Sequence, residues 1–168
     1  CVNDLDESGQ LVRIREEVDP YLEAAEIHRR VFQAAGPAVL YENVKGCRFP
    51  LMSNLYGTME RMRFIFRDTL AAIERLMRLK RDPIAPVRHP IKHFRDMLAG
   101  LHALPMRMSR GPVTDNETTI DQLPQIQCWP DDGGAFILMP HVYSEHAEEP
   151  GMLKSNLGMY RIQISGGQ

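Results

Sequence analysis

Cysteine is scarce in this chain: Cys1, Cys47 and Cys128 are the three present. They are odd in number and far apart, which excludes a disulfide framework and the close ligand spacing of a structural zinc site. No apolar run approaches the ~20 residues needed to cross a bilayer, so no integral membrane segment is expected. A basic start followed by an apolar core is missing too, so no secretory signal is visible. Neither sign of charge dominates: 20 Lys and Arg against 22 Asp and Glu leave a net charge of -2, giving no reason to expect nucleic acid or an anionic membrane. Gly-rich phosphate loops, Gly-x-Ser-x-Gly, Cys-x-x-Cys and His-Glu-x-x-His are all absent. No repeat or low-complexity tract replaces them. These absences leave a reducing, cytoplasmic setting as the simplest expectation, and no self-contained catalytic constellation.

What is present is an ordinary globular composition, 43% hydrophobic and 25% charged over 168 residues. Leu11 to Val18 alternates apolar and charged side chains and reads as a strand with one solvated face. Asp19-Pro20 predicts a helix start, with Asp19 as N-cap and Pro20 at the first helical position, and Gly36-Pro37 ends that helix. Ala38 to Val44 and Phe49 to Leu55 are the next strands, Pro50 placing the second at an edge. Strand, helix, strand in succession favours an α/β layer. Helical spacing follows from Thr58 to Lys80, then a proline-broken connector from Asp82 to Pro90. A short helix over Ile91 to Leu104 is stopped by Pro105.

Several tempting features have plain explanations. Arg61, Arg63, Arg67, Arg75 and Arg78 are interleaved with Glu60, Asp68 and Glu74, which suits a solvated helix face better than a nucleic-acid surface. Among His89, His93 and His102 only the first pair has helical spacing, and Pro90 lies between them, so surface or capping roles are expected rather than a metal. The ten methionines read as core filler.

The last third is strand-rich. Gln125 to Trp129 and Ala135 to Val142 flank a Pro130-Asp131-Asp132-Gly133-Gly134 turn, which reads as a hairpin. A polar loop from Ser144 to Lys154 leads to Asn156-Leu157-Gly158-Met159-Tyr160-Arg161-Ile162-Gln163-Ile164, a strand with polar and apolar groups on both faces. The chain then closes on Gly166-Gly167-Gln168, an odd place for a domain to stop, so a fragment is expected.

The order of these last motifs carries a resemblance. Leu123-Pro124-Gln125-Ile126-Gln127-Cys128-Trp129-Pro130, then Asp132-Gly133-Gly134-Ala135-Phe136-Ile137, then Asn156-Leu157-Gly158-Met159-Tyr160-Arg161 resembles the UbiD family of decarboxylases. Pro37-Ala38-Val39-Leu40-Tyr41-Glu42-Asn43-Val44-Lys45-Gly46 and Asn54-Leu55-Tyr56-Gly57 are similar to that family's N-terminal domain. The resemblance implies an α/β fold: an N-terminal α/β domain over about residues 1–112, then from 113 to 168 the first strands of a flavin-reductase-like split β-barrel. It also implies prenylated FMN made by a flavin prenyltransferase, Mn²⁺, and a small aromatic or α,β-unsaturated carboxylic acid as substrate. K⁺ stays open as a second cation, and a homo-oligomer is expected.

On the motif match Asn156 would ligate the metal, Gly158, Met159 and Tyr160 would line the cofactor, and Arg161 would stand beside the flavin as the catalytic arginine. The family's glutamates and its other metal ligands lie beyond this strand, so the segment alone is expected to be inactive. The competing expectations are a non-catalytic UbiD-like assembly module and an ordinary FMN-binding split barrel. Asn156 and Arg161 are five apart and face opposite sides of a regular strand. Metal binding at the strand end, or a bulge near Gly158, would reconcile their roles.

Overall fold

A computed structural model describes residues 1–102 and 108–165; the Pro105 helix stop and the closing Gly166-Gly167-Gln168 turn lie outside the described residues. Among the described residues the architecture is mixed α/β with two small sheets, and the chain forms two compact units. One comprises Cys1–Thr58 with the segment from Thr114 onward; the other is Met59–Val113.

The first unit opens with helix α1 (Val2–Glu7), strand β1 (Leu11–Val18), helix α2 (Glu23–Gln33), and strands β2 (Ala38–Val44) and β3 (Leu51–Ser53). β1 and β2 are parallel, as a crossover helix between them requires. β3 returns antiparallel on the other side of β2, as the edge strand that Pro50 foretells. The core sits where β2, the central strand, meets α2: Val18, Ala24, Val39, Tyr41 and Val44 are buried, with Ile14, Ile27, Val31 and Leu51 against them. Tyr41 is fully enclosed, and its hydroxyl donates to the Ala24 carbonyl at 3.3 Å and shares a 3.0 Å bond with Ser53. Burial pushes its phenol pKa up, more than the Ser53 bond lowers it.

Asn54 explains why Asn54-Leu55-Tyr56-Gly57 has its composition. It sits in the left-handed region (φ 54°), buried, and its amide donates to the carbonyls of Gly36 and Pro37 at 3.0 and 2.9 Å. A side chain at Gly57 would run directly into the Asn54 amide oxygen, so only glycine fits there.

Some sequence expectations are corrected. α2 begins at Glu23, not at Asp19-Pro20. The backbone of Pro20 to Leu22 is committed elsewhere: the Gln127 amide donates to the Pro20 carbonyl, and the Leu22 amide to the Gln127 carbonyl. Asp19 caps the Tyr21 amide instead and pairs with Lys45. The same bonds make Gln127 a parallel bridge to Tyr21, so Gln125 to Trp129 is not a ladder strand; it holds Phe136 through one bond, to the Ile126 carbonyl. Phe49 to Leu55 shortens to the three residues of β3.

In the second unit the Thr58 to Lys80 pattern divides into α3 (Met59–Ile65) and α4 (Leu70–Arg81). The connector holds a short helix α5 (Ala85–Arg88), followed by α6 (Phe94–His102). Arg61 departs from the solvated face assigned to it: it is buried, and partnered there. His93 bonds Asp96 at 2.9 Å, with Arg78 on the same carboxylate at 3.2 Å.

Candidate functional site

Strand β4 (Phe136–Glu145) pairs antiparallel with β5 (Ser155–Gln163), giving a two-stranded ribbon. Pro140 falls inside β4 and has no N–H for the ladder. The strand accommodates it with one extra residue between Leu138 and His141, opposite Tyr160, where Met139 takes a left-handed φ of 58°. The bulge is therefore in β4, and β5 itself keeps regular alternation. Asn156, Gly158, Tyr160 and Ile162 share one face; Leu157, Met159, Arg161 and Gln163 share the other.

The most structured part of the ribbon surrounds Arg161. Its Nη2 donates to Asp132 Oδ2 at 2.6 Å, and its guanidinium lies 3.6 Å from the centre of the Phe136 ring. Gln163, two residues on and on the same face, donates through Nε2 to the Gly133 carbonyl at 2.7 Å. Asp132 also accepts the Trp129 amide at 3.2 Å. Its side chain is 11% exposed against 42% for Arg161, so the carboxylate is the fixed half of the pair. Burial opposes ionisation of Asp132 as the largest single influence, but the bonds from Arg161 and the Trp129 amide and the Arg161 charge together outweigh it and hold the carboxyl below its usual range. Among the described residues, Nε and Nη1 of Arg161 have no protein acceptor and remain available to a carboxylate.

The other residues singled out from sequence spread along β5. Asn156 is exposed at its start, opposite Ser144, and Met159 is opposite His141. A Cβ on Gly158 would lie 2.6 Å from the Tyr160 ring, so the glycine lets that ring cross the strand. The backbone surface at Gly158 is thus covered by Tyr160. The strand does not bring Asn156 and Arg161 to one face.

The chemistry of the donors separates the two implied groups. A flavin-binding surface is consistent with a fixed cation with free donor nitrogens beside exposed Met159 on the same face, Tyr160 being exposed on the opposite one. A divalent cation needs about six oxygen donors. Asn156 offers one, and the described residues contain no group of three His, Cys, Asp or Glu suited to a metal. The described residues do not by themselves fit a metal centre.

Sequence reasoning missed a cavity of about 840 Å³ in the first unit. Phe32, Leu51, Tyr56, Ile126, Trp129 and Met139 are among its walls. Cys128 also lines it, and burial raises the thiol pKa. These residues come from four separate stretches of the sequence, and no local periodicity marks them.

The same fold occurs in solved enzymes. Vanillic acid decarboxylase of Sedimentibacter hydroxybenzoicus, in closed form, superposes with a TM-score of 0.72 at 22% identity, over 99% of this chain and 34% of that one. The UbiD-class enzyme HmfF of Pelotomaculum thermopropionicum, in an evolved dimeric form in complex with prFMN, gives 0.68 at 21% identity, over 99% and 35%. The fold is that of UbiD-class enzymes. Residues 2–80 match the 3-octaprenyl-4-hydroxybenzoate carboxy-lyase N-terminal domain, and residues 104–168 match the Rift-related domain of the same carboxy-lyase. The chain belongs to the UbiD family. A 4-hydroxybenzoate decarboxylase subunit of Chlamydia pneumoniae is 40% identical over 162 residues, which cover 92% of this chain and 26% of that protein. An uncharacterized protein of Chlamydia muridarum is equally similar, 40% over 160 residues. The chain spans about a quarter of the length of these relatives. Among the described residues, no helix is long and apolar enough to cross a membrane.

Proposed function

We propose that this chain is the N-terminal part of an oligomeric enzyme that decarboxylates, reversibly and without oxidation, an aromatic or α,β-unsaturated carboxylic acid, using prenylated FMN and a divalent metal. The observation that carries the reading is Arg161, anchored at 2.6 Å on Asp132 with two nitrogens to spare, within a chain that matches both family regions in order. The domain division near residue 112, with the opening of a split barrel after it, belongs to the same proposal.

When bound, the cofactor supplies the electrophile and nucleophile chemistry that carboxylate loss needs. The chain's own residues hold and orient. Arg161 stays charged in any environment and can donate to the departing carboxylate from Nε or Nη1, which lie on opposite sides of the guanidinium. Met159 presents apolar surface to a flat ring system on the Arg161 face, and Tyr160 presents its ring on the opposite face of β5. Asn156 contributes one oxygen towards Mn²⁺, and residues beyond this segment complete its coordination. The resemblance implies that proton donation falls to family glutamates beyond this segment, to which none of Glu145, Glu148 and Glu149 corresponds, because they precede the motif strand.

The test uses the complete parent protein with prenylated FMN, Mn²⁺ and a panel of aromatic and unsaturated acids, following carbon dioxide release. Release is expected from at least one acid, falling ~100-fold or more in Arg161→Ala. No release from any acid, with the cofactor bound, overturns the reading. The 168-residue chain alone is expected to stay at background; turnover from it would show that the groups beyond it are dispensable.

A further inference from the structure

Asp132 lies in a turn where aspartate needs no special explanation, since Asp-Gly is a common turn pair. Its surroundings go further than a turn requires. The carboxylate is almost enclosed, takes the Trp129 amide on Oδ2, and places that same oxygen 2.6 Å from Arg161, 29 residues away on another strand. Phe136 lies under the guanidinium at 3.6 Å, and Gln163 ties the same turn to β5 through the Gly133 carbonyl. Two contacts thus fix one exposed arginine from one side, and the Gln163 bond holds the turn that carries Asp132 against the same strand.

We propose that Asp132 is a positioning residue for Arg161, with Phe136 as the platform that sets the plane of the guanidinium. The inference rests on the role given to Arg161 above. Asp132 touches neither substrate nor cofactor. It confines Arg161 to one rotamer, so that the donors not taken by Asp132 are in place before ligand arrives, and the entropy of ordering a long side chain is not lost in each catalytic cycle. A free arginine on an exposed two-stranded ribbon would sample many rotamers.

The test compares Arg161→Ala, Asp132→Asn and Asp132→Glu in the complete prenylated-FMN-loaded protein, and records ¹⁵N-arginine spectra of the cofactor-free wild type, Asp132→Asn and Asp132→Glu. Asp132→Asn should lower kcat about 10- to 100-fold, the worth of one charge-assisted hydrogen bond, with KM changed by less than about threefold. Asp132→Glu should recover most of that loss. In the spectra, Arg161 signals, assigned by their disappearance in Arg161→Lys, should show separate Nη resonances in wild type and averaged ones in Asp132→Asn. A kcat within about twofold of wild type in Asp132→Asn, while Arg161→Ala is inactive, overturns this inference and leaves the function standing. Full activity in Arg161→Ala removes both. Should Asp132→Asn fail to fold, the wild-type spectrum decides: separate resonances support the positioning role, and averaged ones overturn it.

Discussion

In the three-stranded sheet Tyr41 and Ala38 are fully buried and Val39 nearly so, whereas Leu157, Met159 and Tyr160 of the β4–β5 ribbon are 67%, 59% and 49% exposed. Both regions are built from similar apolar residues. The difference is in what covers them: α2 closes over β2, while no helix of the described chain closes over β5. Isolated two-stranded ribbons are marginal in water. The ribbon persists through polar ties, namely Arg161 to Asp132, Gln163 to Gly133, and the Ile164 amide to the Ala135 carbonyl. The sheet therefore carries stability, and the ribbon carries exposed groups available for ligand.

The contrast is broken most strongly at Tyr41. Tyr41→Ala should destabilise the chain by about 3–5 kcal/mol, as other large aromatic truncations do, whereas Tyr160→Ala should cost less than about 1 kcal/mol. Urea titration of both variants measures the gap, and equal losses would mean the ribbon is as much core as the sheet. Next comes Asn54→Ala, expected to cost about 1–3 kcal/mol because the Gly36 and Pro37 carbonyls lose their donor in a buried corner. Its melting temperature should fall accordingly.

Gly158→Ala should act in the ribbon and more weakly, by about 1 kcal/mol or less, since the obstructing group is a half-exposed ring able to swing away. Its signature is a changed Tyr160 environment in aromatic NMR spectra with the sheet's spectrum intact. The smallest effect is at Glu26. Hydrogen bonds from Arg29 and then Arg30 hold its carboxyl down from the usual 4.5 to about 2. A depressed folded-state pKa gives stability that is present above the unfolded value and lost as pH falls through the folded one. The melting difference between wild type and Glu26→Gln should thus be constant above pH 4.5 and vanish by about pH 2. Because the pair is fully exposed, added salt should shrink it.

The sequence is most legible where structure is local. β1 and β2 have the bounds that alternation and flanking turn residues predict, Leu11–Val18 and Ala38–Val44. Local reading fails where a remote partner decides. The start of α2 moves because Pro20 to Leu22 bonds Gln127, over a hundred residues later. The helix break between Ile65 and Leu70 interrupts a continuous apolar period, and the Leu70 amide still reaches Phe66 across it. At the site, the ordered motifs point to β5. The turn at Asp132 is a turn, as Asp-Gly predicts, with the Asp132 amide on the Trp129 carbonyl. The ladder partner expected across that turn is wrong, and the bond to Arg161 goes unseen with it, because local spacing says nothing about a contact 29 residues away.

The central claim is that β5 is the ligand-bearing surface and the three-stranded sheet its stable support. Amide hydrogen exchange on the complete parent protein, with and without prenylated FMN, tests it most directly. Protection should rise on cofactor binding at Leu157 to Ile162 and stay unchanged across β1 and β2. Unchanged exchange in β5 on a protein that demonstrably binds the cofactor, or protection gained mainly in the sheet, would contradict it.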